Sequence, residues 1–567
     1  MGASGGPAAP GPESRSASGA ALCAMGDRKP PDTRHREASR ATDVTVRQAV
    51  FDLLRSLGVT TIFGNPGSTE LPMFKDFPAE FRYVLGLHES VVVGMADGYA
   101  AATRTAALAS LHSAIGVGHA LGSIFTAFRN QTPLVITAGQ QARSILPFEP
   151  FLYSEQAPNL PKPYVKWSCE PARAQDVPGA IARAFYVAMQ PPRGPTFISI
   201  PVDDWERPCE PVGAREVSRA ISGDPALLAR AAESMNRAAH PVIVVGAGVA
   251  RDGAWDETIE LAERHAARVF VSPLSARNSF PEQHRLFAGF LPADRAGIVR
   301  ALAGADFILA LGAPVFTYHV EGSGPHIPGG ATLVQLVDDP AVAAWAPVGV
   351  AIVTSLKPGV RALLEHAPPR PRPAPPSRVP APRQRPDRLT DAYLMQQIAA
   401  LRPAGSIIVE EAPSSRGALH DHLPILEADT FFTCASGGLG HGLPAAVGVA
   451  LARRDRKVIA VLGDGSSMYS IQGLWSAAEL GLPIAFVIVR NGSYNALNEF
   501  GPHFGLARLP GTELPHLDFC ALAAGHGVQS RYVDRCEQLD EALATAFAAA
   551  EPMLVEIVVV PPDARAR

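Results

Sequence analysis

The chain has 567 residues, 47% of them hydrophobic and 18% charged, with a formal net charge of -4. That balance excludes a largely disordered chain, and the charge gives no strongly basic face for binding nucleic acid. No uninterrupted apolar run approaches the roughly 18 residues of a membrane helix, and the length sets an expectation of several domains. Six cysteines, Cys23, Cys169, Cys209, Cys434, Cys520 and Cys536, lie far apart without a CxxC pair. Neither a zinc module nor a disulfide framework is expected, and the default setting is a reduced cytoplasm.

Residues 1–42 are rich in Gly, Ala, Ser, Pro and Arg without helical period. They read as a disordered tail lacking the apolar core of a secretory signal, with Met25 as an alternative start. Val46, Ala49, Val50, Leu53, Leu54 and Leu57 recur at helical spacing up to Gly58 and predict the first helix. Thr60–Phe63 predicts a buried strand leading into Gly64-Asn65-Pro66-Gly67-Ser68-Thr69-Glu70-Leu71-Pro72. The apolar run Ala106–Ser110 leads in the same way into Leu111-His112-Ser113. Pro241–Val245 and Phe307–Leu311 predict strands, the second leading into Ala313-Pro314-Val315-Phe316-Thr317-Tyr318-His319. Nine prolines from Pro368 to Pro386 predict a stiff, extended connector. Beyond it, the strands Val458–Leu462 and Ile484–Val489 bracket a helix through Leu474, Trp475 and Leu480.

These breaks, with a weaker one over Arg207–Asp224, divide the chain. A tail (1–42) precedes an N-terminal domain (43–206), a central Rossmann-like domain (225–365), a Pro-rich linker (366–386) and a C-terminal domain (387–567). Strand–helix–strand repeats need right-handed crossovers onto a parallel sheet, so the predicted fold is α/β, with three consecutive parallel-sheet sandwiches.

In open parallel sheets ligands gather beyond the carboxyl ends of the strands. The strand Val458–Leu462 runs into Gly463-Asp464-Gly465-Ser466-Ser467, and the next strand ends at Asn491-Gly492-Ser493, 27 positions after Asp464. The glycines allow the backbone to approach a phosphate. Asp464, Asn491 and a nearby backbone carbonyl are hard oxygen donors suited to Mg²⁺ shared with a diphosphate. The polar turns holding Ser68, His112 and His319 sit at strand ends too. Serine and histidine there suit hydrogen bonding to a carboxylate and proton exchange near neutral pH.

Gly463-Asp464-Gly465 followed after one crossover by Asn491 resembles the thiamine diphosphate signature of the pyruvate-decarboxylase-like enzymes. Arg490 stands where that family often has a first Asn. Far upstream, Leu87-His88-Glu89-Ser90-Val91-Val92-Val93-Gly94-Met95-Ala96-Asp97-Gly98-Tyr99-Ala100 resembles the family's glutamate motif. By that resemblance Glu89 shares a proton with the aminopyrimidine ring of thiamine diphosphate, in apolar surroundings that raise a carboxyl pKa. Gly437-Gly438-Leu439-Gly440 resembles the stretch under the bend of the cofactor. Leu439 is then the wedge between its rings and the Gly437 carbonyl the partner of its amino group. Gly463, Gly465 and Ser466 fall beside the diphosphate, and Ser414 is carried over from the loop Glu410–Ser415.

The turns around Ser68, His112 and His319 resemble those of the benzoylformate decarboxylases within this family. So do Lys75-Asp76-Phe77-Pro78, Thr137-Ala138-Gly139-Gln140-Gln141 and Val165-Lys166-Trp167-Ser168. The resemblance implies that Ser68 orients the substrate carboxylate, that His112 exchanges protons during addition, and that His319 delivers the proton that replaces CO₂. It places Leu152, Ala496, Leu497 and Phe500 around an aromatic ring, with Thr433 where that family has an aromatic residue. His88, His119 and His441 have no counterpart and read as structural. The implied reaction is non-oxidative decarboxylation of an aromatic 2-oxo acid such as benzoylformate. The implied assembly is a homo-oligomer, a dimer at least and a tetramer by family, in which Glu89 serves a different chain from Asp464. An acetolactate synthase-like carboligase remains an alternative, as does an idle cofactor-binding or assembly protein. FAD is not expected, because Arg251 occupies the third glycine position after Gly246-Ala247-Gly248.

Overall fold

Three six-stranded, all-parallel sheets carry the chain in this computed structural model, which describes residues 44–366, 369, 371–385 and 387–560. The expected tail, residues 1–42, lies outside the described residues. The first helix, Val46–Ser56, starts where Thr45 and Gln48 form a reciprocal capping box, and its apolar face is buried.

The first sheet comprises β1 (Thr61–Gly64), β2 (Arg82–Leu85), β3 (Ala107–Leu111), β4 (Leu134–Gln140), β5 (Ser168–Cys169) and β6 (Pro195–Pro201), in the order β2-β1-β3-β4-β6-β5. The second comprises β7 (Pro241–Val245), β8 (Arg268–Val271), β9 (Phe287–Phe290), β10 (Phe307–Leu311), β11 (Thr332–Val337) and β12 (Val350–Val353). Its order, β12-β11-β10-β7-β8-β9, is that of a dinucleotide-binding sheet. The third comprises β13 (Ile407–Glu411), β14 (Phe431–Phe432), β15 (Val458–Gly463), β16 (Ile484–Arg490), β17 (Gln529–Val533) and β18 (Met553–Val558), in the order β14-β13-β15-β16-β18-β17. The first and third sheets thus share one strand order.

Central strands such as β7 and β10 are buried on both faces, which is why they read as continuous apolar runs rather than alternating ones. The first and third sheets share a hydrophobic core through two helices, Glu89–Thr103 and Gly442–Ala452. These helices touch at glycines. A Cβ on Gly98 would lie 2.2 Å from the Ala445 carbonyl oxygen, and one on Gly448 would lie 2.0 Å from that of Met95. The proline-rich stretch 371–385 has no regular secondary structure, as expected, but it is anchored. The Arg372 guanidinium donates to the carbonyl oxygens of Met235, Asn236 and Ala238 at 2.7–2.8 Å.

Candidate active site

A cavity of about 870 Å³ opens at the carboxyl ends of β13, β15 and β16. It collects residues from four separate stretches of sequence: Ser414; Gly437 and Leu439; Gly463, Asp464, Gly465 and Ser466; and Asn491, Ser493, Ala496, Leu497 and Phe500. His319 of the second sheet's domain reaches the same cavity, where its ring stacks on Phe500 at 4.7 Å with 6° between the planes.

The two loops bearing the candidate metal ligands are tied together. The Asp464 carboxylate accepts from the backbone N–H of Gly465 at 2.8 Å and, with its other oxygen, from Gly492 at 2.7 Å. The Asn491 side-chain oxygen accepts from Ser493 N–H at 3.0 Å. Burial raises the Asp464 pKa, while these backbone donors pull it down. Two hard side-chain oxygens held beside the Gly492 turn fit a small divalent cation, and a Cβ on Gly492 would meet nothing within 4 Å, which leaves space for phosphate oxygens. Gly440 adopts φ 95°, and a Cβ there would meet Tyr469 at 2.7 Å, so the turn below the cavity requires glycine. Arg490, the departure from the family pattern, points away: its Nη1 donates at 2.6 Å to the buried Glu556.

Of the residues given catalytic, cofactor or substrate roles, Ser68, Glu89, His112 and Leu152 do not line this cavity. They belong to the domain of the first sheet. Glu89 starts the helix Glu89–Thr103 and is buried, with Oε2 3.0 Å from Nδ1 of His119. Its surroundings are therefore not wholly apolar, and His119, expected to be merely structural, is the group facing it. His88 caps the same helix and stacks on His119, with ring centroids 5.0 Å apart. Ser68 is exposed. His112 occupies the N-cap position of the helix Ser113–Asn130 without capping it by its side chain, and its Nδ1 lies 2.9 Å from Oε2 of buried Glu70. Glu70 also accepts from the N–H groups of Gly67 and Gly139 and from the Thr69 hydroxyl. This network, unassigned from sequence, orients His112. The signal for it was a carboxylate inside a Gly/Pro-rich turn.

Glu411 was also overlooked. Its carboxyl group is buried in the cavity wall and accepts from the backbone N–H groups of Gly440, at 2.6 Å, and Gly442. Burial pushes its pKa up to about 8, against the pull of those two amides. With the folded-state pKa raised, the unfolded chain releases this proton first. The stability contributed by Glu411 is thus present below about pH 4.5 and lost as pH rises to about 8. In Glu411→Gln that loss disappears, so the Tm difference between the variant and the wild type should shift in favour of the variant between about pH 5 and about pH 8. Thermal melts across that window check the sign, and a difference independent of pH would count against it.

The thiamine pyrophosphate enzyme family models match along the chain. The N-terminal TPP binding domain covers residues 44–157, the central domain 228–363 and the C-terminal TPP binding domain 413–557. The chain belongs to the thiamine diphosphate-dependent enzymes, in their 2-oxo acid decarboxylase family. It is 46% identical to a benzoylformate decarboxylase of Pseudomonas aeruginosa, over 90% of this chain and 98% of that protein. Among solved structures it resembles the benzoylformate decarboxylase of Polynucleobacter necessarius, with 39% identity and a TM-score of 0.89, covering 91% of this chain and 98% of the other. It also resembles a thiamine diphosphate-dependent 4-hydroxybenzoylformate decarboxylase of Rhodococcus jostii, with 40% identity, a TM-score of 0.89, and coverage of 91% and 99%.

Proposed function

We propose that this enzyme decarboxylates an aromatic 2-oxo acid without oxidation, with benzoylformate as reference substrate and benzaldehyde and CO₂ as products, using thiamine diphosphate and Mg²⁺. The observation that carries the reading is the His319–Phe500 stack beside Ala496 and Leu497, in the cavity that also holds Asp464 and Asn491. An apolar wall with a few convergent polar groups suits an aryl ring joined to an oxo acid.

When bound, thiamine diphosphate supplies a nucleophilic carbon for the 2-oxo group and an electron sink for cleavage of the C–C bond. Asp464, Asn491 and the Ser493 carbonyl would hold Mg²⁺. Gly463, Gly465, Ser466 and Ser414 would hold the diphosphate, and Leu439 and Gly437 would hold the bend between the rings. Glu89 would exchange a proton with the aminopyrimidine. His112 has Nδ1 committed to Glu70, which leaves Nε2 as the atom that exchanges a proton with the substrate oxygen. Ser68 Oγ would hold the carboxylate, and His319, kept in plane by Phe500, would donate the proton that replaces CO₂.

The division of these residues supports a homo-oligomer in which Ser68, Glu89, His112 and Leu152 of one chain complete the cavity of another. Exposed apolar side chains near both sets, Leu71, Leu87 and Ile115 on one and Leu497 and Phe504 on the other, fit such burial. The cytoplasm is the proposed setting, supported by free Cys169, Cys209, Cys434, Cys520 and Cys536. No helix among the described residues is long and apolar enough to cross a membrane.

The deciding experiment offers benzoylformate, 4-hydroxybenzoylformate and pyruvate side by side with thiamine diphosphate and Mg²⁺. Aromatic aldehyde release with little pyruvate turnover is the expected result, and His319→Ala should lower kcat by about 10²–10⁴-fold. Acetolactate from pyruvate with both aromatic acids ignored would overturn the substrate assignment.

A further inference from the structure

We propose that His88, Glu89 and His119 form a transition-metal site, of the kind that takes Zn²⁺, which the cofactor-free enzyme can fill and cofactor binding empties. The part concerning the cofactor rests on the reading of Glu89 given above.

One donor atom from each of the three side chains lies within 4.8 Å of the other two. Glu89 Oε2 and His119 Nδ1 are already 3.0 Å apart. The His88 and His119 rings stack with centroids 5.0 Å apart and 25° between their planes. Four-coordinate zinc at 2.0–2.1 Å from its ligands spaces the donors roughly 3.3 Å apart. The cluster therefore needs to close by at most about 1.5 Å to meet that geometry. The chain supplies both a fixed part and a movable part. His88 Nδ1 lies 2.7 Å from the Ser90 hydroxyl, and the tautomer that donates Nδ1–H to that oxygen holds the ring and leaves the Nε2 lone pair for the ion. The His119 side chain is 49% exposed and can swing, which also opens a path for the ion.

The donor chemistry separates this cluster from the Asp464–Asn491 pair. Two imidazoles and one carboxylate are a zinc-type set that leaves a fourth position for water. Such nitrogen donors favour Cu²⁺ and Zn²⁺ over Mg²⁺, whereas the all-oxygen pair favours Mg²⁺. A cation on Glu89 would take the carboxylate that the aminopyrimidine needs, so metal and cofactor would exclude each other.

The test uses the full-length chain stripped of metal and cofactor, titrated with Co²⁺ as a coloured stand-in for Zn²⁺. Excess Mg²⁺ keeps the oxygen site occupied. The wild type should take up one Co²⁺ per chain with the intense visible bands of a four-coordinate nitrogen-containing site. His119→Asn and His88→Gln should each weaken that binding by more than about tenfold. Thiamine diphosphate should then bleach the bands in the wild type. Bands absent from the wild type, or unchanged in both variants, would overturn the metal site. Bands lost in the variants but untouched by thiamine diphosphate would leave the metal site standing and overturn the mutual exclusion, while the role of Glu89 at the cofactor is read separately from kcat of Glu89→Gln.

Discussion

Glu89→Gln should lower kcat by about 10²–10⁴-fold, the range for removing a positioned proton-transfer group, while leaving Tm close to wild type. The substitution keeps the size of the side chain. It also keeps an oxygen that can accept from His119 Nδ1, 3.0 Å away in the wild type, so the packing at the start of the helix Glu89–Thr103 has no reason to change. What disappears is the carboxyl group that exchanges a proton. A merely structural Glu89 would give the opposite pattern, with kcat preserved and Tm lowered. Steady-state kinetics at saturating thiamine diphosphate and Mg²⁺, paired with thermal melts, separate the two. Wild-type kcat in the variant would remove Glu89 from the proposed mechanism.

Arg416→Ala should destabilise the C-terminal domain by about 3 kcal/mol at neutral pH, the low end for leaving a buried carboxylate without its ion-pair partner. Glu410 is fully buried beneath the cavity wall and accepts from Arg416 Nε at 2.9 Å, the Thr433 hydroxyl at 2.7 Å and Ala412 N–H at 2.7 Å. Burial pushes the Glu410 pKa up, but the Arg416 charge and these donors outweigh it and hold the carboxyl below its ordinary value. Two of the three donors remain in the variant, which is why the low end applies. Because the folded-state pKa is depressed, the stability from this pair is present above the ordinary carboxylate range and lost as pH falls below it through the lower folded-state value. The gap between variant and wild type should therefore shrink on acidification. Urea unfolding at neutral and acid pH measures it, and a gap that widens at low pH would contradict the pairing. Glu410→Gln combined with Arg416→Met should recover much of the loss, since neither charge then remains buried.

The same network bears on Thr433, read from sequence only as the site of a missing aromatic side chain. Its hydroxyl is engaged by Glu410 and by Arg416 Nη2 at 3.0 Å, and it does not line the large cavity. Residue type at a single position showed the difference from the related enzymes. The direction of the side chain required the ion pair beneath it.

Much of the fold was legible because it is written in short-range pattern. β7 and β10 occupy the spans their apolar runs predicted, and β15 and β16 each extend one residue beyond, into the polar turns that follow. The common strand order of the first and third sheets was not legible, because the order of parallel strands depends on which way each crossover turns. The absence of helix and strand was equally legible between 371 and 385. Its anchoring by Arg372 to carbonyls more than a hundred positions earlier was not.

By itself the sequence determined the α/β class, the three-sheet plan and the strand-end loops bearing Asp464, Asn491, His112 and His319, since glycine turns and apolar runs act over a few residues. Only the tertiary structure decided which groups face one another. It set His119 against Glu89, Glu70 behind His112 and Glu411 beneath Gly440, pairs separated by 30, 42 and 29 positions. It also left Glu89 outside the cavity that Asp464 of the same chain lines. The physical reason is that such pairings depend on how whole helices and sheets pack, and packing is set by the sum of buried contacts rather than by local spacing.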